Sequence, residues 1–287
     1  MKSIDLSKNF LTTLEENYFK EVKQVEEIVL TNNMINSIDE RTFAENLQLK
    51  RVFLSNNYIS IFSSSCIQNN SLLTLLNLDH NYVEYLSDNF LISDSLEVLN
   101  LRNCQVKTMS SLAFKSLPSL KTLRMANNFI ATLPDDLLIP SSLKFADFSF
   151  NSFKGKVNLP RDFFKVTSVL INSNEITDFV VLPGEDTTKN SLDYIDLSGN
   201  PLLLENENVT LLDTISHATT VVLSNCQLSK FPNGLFSSKS EVQHLYLDHN
   251  NFVNLNEVID ISFGKRLKSL SLKYLDLLNE VSCFSYA

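Results

Sequence analysis

Eleven asparagines or cysteines recur along this chain at nearly one spacing, and that repeat restricts the fold more than any other feature. They are Asn9, Asn33, Asn57, Asn81, Cys104, Asn128, Asn151, Asn174, Asn200, Cys226 and Asn250. The intervals between them are 24, 24, 24, 23, 24, 23, 23, 26, 26 and 24 residues. Each position closes the same apolar beat. In Leu96–Val106, LEVLNLRNCQV, the beat is Leu96, Leu99 and Leu101, then Cys104, then Val106. The next unit repeats it as Leu120, Leu123, Met125, Asn128 and Ile130. A twelfth unit starts at Leu267 with Leu270 and Leu272, and Leu275 replaces its Asn.

The end of each beat alternates apolar and polar, as a strand buried on one face does. Such a strand is too short to bury its apolar side alone. Stacking the next unit alongside, about 4.8 Å away, makes a parallel sheet and closes the core between repeats. The expectation is therefore one domain over residues 1–287, an array of about twelve repeats, rather than two globular units. The Asn after each strand sits in a turn, where its amide donates and accepts hydrogen bonds for buried backbone groups. Stacked Asn residues then form a ladder. Cys104 and Cys226 are weaker substitutes, so units five and ten should be looser there.

A second apolar signal fills the other half of the unit. Phe19, Phe43, Phe114 and Phe236 lie ten residues after the ladder position, and Phe90 lies nine after. They read as an aromatic spine under the convex side, where rings fill a wide gap. The rival reading is a ligand pocket. Two places break the beat. The intervals of 26 flank Asn200, and the first holds the loop Pro183–Thr188. The other is Asn151–Pro160, NSFKGKVNLP, whose F-x-G-x-V suggests a second small strand.

The four cysteines, Cys66, Cys104, Cys226 and Cys283, are isolated and contain no C-x-x-C pair, so they suggest neither a disulfide framework nor a zinc site. The net charge of −9 is spread without blocks, which argues against nucleic acid. No apolar run approaches a membrane span in length. Met1 falls on the first repeat position, so a signal peptide is not expected here. Both ends are abrupt and lack polar caps, so the chain is expected to be a piece of a longer protein.

The repeated L-x-x-L-x-L-x-x-N-x-L with its later Phe resembles the leucine-rich repeat family over essentially the whole chain, from Met1 to about Leu278. The resemblance implies an α/β fold, a right-handed horseshoe solenoid. Its parallel β-sheet would line the concave face, with loops, turns or short helices on the convex face. The period near 24 is similar to the longer-repeat class of receptor ectodomains, including Toll-like, slit-type and plant or protist receptor proteins. It implies protein or peptide binding on the concave sheet, and such receptors often dimerise, so a homodimer is open.

No catalytic grouping is present, neither a Gly-rich phosphate loop nor H-E-x-x-H nor G-x-S-x-G. His80 and His249 occupy the same repeat slot seven units apart, roughly 34 Å, too far to share a metal. Neither a cofactor nor a metal is expected. The strand residues between buried positions must face the concave side. Their middle column is Asp5, Val29, Phe53, Asn77, Asn100, Arg124, Asp147, Leu170, Asp196, Val222, Tyr246 and Ser271. Neighbouring columns add Arg51, Arg102, Phe145, Phe150, Tyr194 and His244. Aromatic and Arg residues are the types enriched at binding hot spots.

Two contact patches follow from these columns. Arg102, Arg124, Phe145, Asp147 and Phe150 span units five to seven, and Tyr194, Asp196, His244 and Tyr246 span units nine to eleven. Phe53 is a further candidate contact. The sequons at Asn69 and Asn208 fall outside the strands, where glycans would leave the concave face open. The reading is a non-enzymatic recognition module, extracellular or at the cell surface, that binds protein or peptide and neither nucleic acid nor membrane. The alternative is a cytoplasmic scaffold or regulatory domain, one segment of a receptor-type kinase for example.

Overall fold

Three residues in each unit take up extended backbone, and the middle one is the frame apolar residue that points inward. The strands are Ser3–Asp5, Glu27–Val29, Arg51–Phe53, Leu75–Asn77, Val98–Asn100, Thr122–Arg124, Phe145–Asp147, Ser168–Leu170, Tyr194–Asp196, Thr220–Val222, His244–Tyr246 and Ser269–Ser271. They pair in chain order into one parallel sheet of twelve strands. The register never slips: Leu99 sits beside Leu123, and Leu123 beside Ala146. A one-residue shift would turn each buried residue to solvent. The computed structural model describes residues 1–181, 191–203, 215–230, 240–252 and 266–275. The expected loop Pro183–Thr188, Phe236, Asn208 and Cys283 lie outside the described residues.

The Asn ladder takes the form the sequence implies. The Asn57 amide donates to Leu30 O at 3.0 Å in the preceding unit and to Leu54 O at 2.9 Å in its own. Its oxygen accepts the Ile35 backbone N–H at 2.9 Å. Asn81, Asn128, Asn174 and Asn250 repeat this link between neighbours and are buried. The geometry needs left-handed backbone just before the ladder residue, as at Asn56 with φ 56° and Asn127 with φ 57°. Cys104 and Cys226 donate their thiols to Leu78 O and Leu197 O at 3.1 and 3.3 Å. A thiol offers no amide oxygen, and here the next residues, Gln105 and Gln227, also turn left-handed at 61° and 58°.

The core runs along the whole described array. Phe19, Phe43, Phe90 and Phe114 are all buried within it, as a spine requires. Phe19 and Phe43 stack at 5.7 Å and 7°. The side opposite the sheet is built from turns, the short 3-10 segments Ser64–Cys66 and Arg161–Lys165, and small paired strands. Thr13–Leu14 pairs with Ser37–Ile38, and Tyr85–Leu86 with Thr108–Met109. The F-x-G-x-V segment forms the strand Lys154–Leu159, paired with Glu175–Val181. Gly155 there has φ 66°, a conformation that glycine adopts without strain. A second, shorter ladder was not foreseen: Asn70 donates to Phe43 O at 3.1 Å and Asn46 to Phe19 O at 3.0 Å.

Candidate functional site

The first and third residues of each strand leave the sheet on the face away from the core. Phe53, Arg124, Leu170, Asp196 and Val222 are half-buried on that face, and Tyr246 is exposed. The parallel register sets their neighbours. Arg124 lies between Asn100 and Asp147, and Phe145 between Thr122 and Ser168.

The central patch is a bonded cluster. Arg124 donates to Asn100 Oδ1 at 3.0 Å, and its guanidinium carbon lies 5.6 Å from the centre of the Phe145 ring. A guanidinium over an aromatic face is attracted by the ring quadrupole. Arg102 Nη2 sits 3.1 Å from Asp147 Oδ2. The other Asp147 oxygen accepts from Ser149 Oγ at 2.6 Å and Ser149 N at 3.2 Å. The Arg102 backbone N–H donates to Asp79 Oδ1 at 2.7 Å. Burial pushes the Asp79 carboxyl above its ordinary range, against the opposing pull of that N–H and of Arg102.

One expectation needs correction. Asp147 is 3% exposed, so it does not present its carboxylate to solvent. Arg124 and Leu170 flank it on the adjacent strands, and Arg102 and Ser149 occupy its oxygens. It anchors Arg102 from below instead of making contacts of its own. Phe150 is exposed beside this cluster and has φ 52°. A bulky side chain is uncommon in that conformation, which other units give mostly to Asn, Ser or Gly, and to Lys8, His80, His249 and Tyr274.

The second patch is two rows across three strands. Tyr194, Thr220 and His244 form one row, and Asp196, Val222 and Tyr246 the other. Asp196 Oδ1 accepts from Ser198 Oγ at 2.6 Å, as Asp147 does from Ser149. Burial, then the charges of Asp196 and Tyr246, raise the Tyr194 phenol above its usual range. His244 Nδ1 is 2.7 Å from Ser269 Oγ, on the strand opposite to the Tyr194 side.

Phe53 belongs to neither cluster, because two strands separate it from Arg124, a gap of about 14 Å. Asn69 is exposed on a turn outside the sheet. Among the described residues no three His, Cys, Asp or Glu side chains gather as a metal site, and no helix is long and apolar enough to cross a membrane. Asp79 is the site residue that strand columns missed. It sits two residues before the ladder Asn, and reading that column would have set Asp79 beside Arg102.

The sequence matches the family model described as "Leucine rich repeat" at residues 1–51 and 23–83, and "Leucine Rich repeats (2 copies)" at 94–138. Podocan-like protein 1 of Homo sapiens is 27% identical over 192 residues, which cover 63% of this chain and 34% of that protein. The chain thus spans about a third of the length of this curated relative. The crystal structure of the APL1 leucine-rich repeat domain superposes with a TM-score of 0.71 at 22% identity, covering 97% of this chain and 69% of that one. A chain of the Toll–Spatzle complex of Drosophila superposes with a TM-score of 0.66 at 16% identity, covering 96% of this chain and 41% of that one.

Proposed function

This chain is a leucine-rich repeat protein, and from that premise we propose that it is a non-enzymatic recognition module whose open sheet face docks a protein or peptide ligand. The observation that carries the reading is the central patch. Arg124 and Phe145 are held against each other, and Arg102 is held by Asp147, before any ligand arrives. Side chains fixed in advance lose less freedom on binding. Arg and aromatic groups are also the residues that carry most binding energy at interfaces. The Toll–Spatzle complex supports the reading by likeness, since there a chain of this fold is assembled with another protein.

The test uses the intact chain as bait and an Arg124→Glu, Phe145→Ala variant as control. A ligand captured by the first should bind the second at least about tenfold more weakly, with the fold retained by circular dichroism. Equal affinity would remove the central patch from the interface. We propose an extracellular or cell-surface location, supported by the repeat length near 24, with which the exposed sequon at Asn69 is compatible. Protein isolated from its source should carry a glycan on Asn69, and an unmodified Asn69 would favour the cytoplasmic alternative.

A further inference from the structure

The residues that directly follow the ladder position form another column, on the flank where the chain leaves the sheet. In units one to six it reads Phe10, Met34, Tyr58, Tyr82, Gln105 and Phe129. The five apolar members are between 41% and 82% exposed. An exposed run of large apolar side chains marks an interaction surface. The column is rigid. Met34 N donates to Leu11 O, Tyr58 N to Ile35 O, Tyr82 N to Ile59 O and Phe129 N to Val106 O, all within 2.9 Å. The rings of Tyr58 and Tyr82 stack at 5.8 Å and 10°. From unit seven the column turns polar, with Ser152 and Glu175.

The order of the column says what covers it. From either end it runs phenylalanine, a long unbranched side chain, tyrosine, and its midpoint falls between Tyr58 and Tyr82. A two-fold interface requires that if residue i meets j on the other copy, then j meets i. An axis through that midpoint satisfies this along the whole column. Tyr58 meets the partner's Tyr82, Met34 the partner's Gln105, and Phe10 the partner's Phe129. Both columns have the same strand pitch, about 4.8 Å, so all six rows stay in step. An unrelated partner would impose no such symmetry.

Charge points the same way. The chain carries a net charge of −9, so two copies repel over most of their surface. Residues 10–13, 34–37, 58–61, 82–85, 105–108 and 129–132 hold just two charged side chains, Glu84 and Lys107. These bond to each other at 2.7 Å and cancel. We propose that this flank is a two-fold interface on which a second copy of the chain docks antiparallel. The inference is independent of the ligand reading of the open face.

Sedimentation equilibrium of the full chain over a concentration series tests it. A monomer–dimer equilibrium is expected, and a Tyr58→Asp, Tyr82→Asp variant should remain monomeric because it sets carboxylates against each other at the axis. Both tyrosines are exposed, so its circular dichroism should not change. Phe10→Cys protein mixed with Phe129→Cys protein should cross-link under mild oxidation. Neither variant should cross-link alone, because each new thiol lies about 24 Å from its own symmetry mate. The Arg124→Glu, Phe145→Ala variant should still dimerise, which separates this outcome from that of the open face. A wild-type monomer at every concentration, a dimer that survives the Asp pair, or cross-linking of either Cys variant alone would overturn the proposal.

Discussion

Arg102 and Asp147 stand two units apart, 45 residues along the chain, and meet at 3.1 Å across the intervening strand Thr122–Arg124. The carboxylate is buried and the guanidinium half-exposed. Arg102→Ala leaves a buried oxygen without its charged partner. The expected loss is about 1–3 kcal/mol, read as a shift in denaturant midpoint. A double-mutant cycle with Asp147→Ala should show coupling between the sites, and additive effects would mean that the pair does not form in solution.

Asn128 is a ladder rung whose side chain bonds on both sides. Its oxygen accepts from Cys104 N at 2.9 Å and Val106 N at 3.0 Å, and its amide donates to Leu101 O at 2.8 Å and Met125 O at 2.9 Å. Asn128→Ala strands the Cys104 and Val106 N–H groups and Leu101 O, while Met125 O still accepts from Asn151, so roughly 3 kcal/mol or more should be lost in a chemical melt. Asn9→Ala, at an exposed rung with bonds only inside its own unit, should cost well under half of that.

Phe150 has left-handed backbone that suits Asn or Gly better than an aromatic residue. Phe150→Asn should raise stability by about 1 kcal/mol, visible as a higher melting temperature. If the ring is kept for contact, the same variant should weaken ligand capture. A variant that melts lower would show that the ring packs usefully in the free protein.

Burial pushes the Cys104 and Cys226 thiols up to about 12 and the Cys66 thiol to about 11, from 9.0. Peptide mapping after native labelling below pH 9 should find these three positions unmodified, with full reaction after unfolding. The sign for stability follows. The neutral thiol favours the folded state, and that contribution is whole below pH 9. It is lost as pH rises towards 11–12, where the unfolded chain has already ionised. Melting temperatures measured across that window should fall, and less steeply for Cys104→Ala.

The spacing of Asn33, Asn57 and Asn81 with their preceding leucines was enough to state the parallel array, the inward residue of each strand and the ladder. These are properties of one unit repeated, and periodicity reports them directly because each unit must bury its apolar side on the next. The columns also put Arg124, Phe145 and Tyr246 on the open face. Tertiary structure alone decided that Asp147 is covered and that Arg102 reaches past unit six. Those facts depend on how far long side chains extend over strands about 4.8 Å apart. The contacts join residues two units distant, and no local pattern records them. The aromatic column from Phe10 to Phe129 was present in the letters, but its exposure was not. Only the packed turns show that the residue after each buried Asn or Cys is held outward while the one following it is buried.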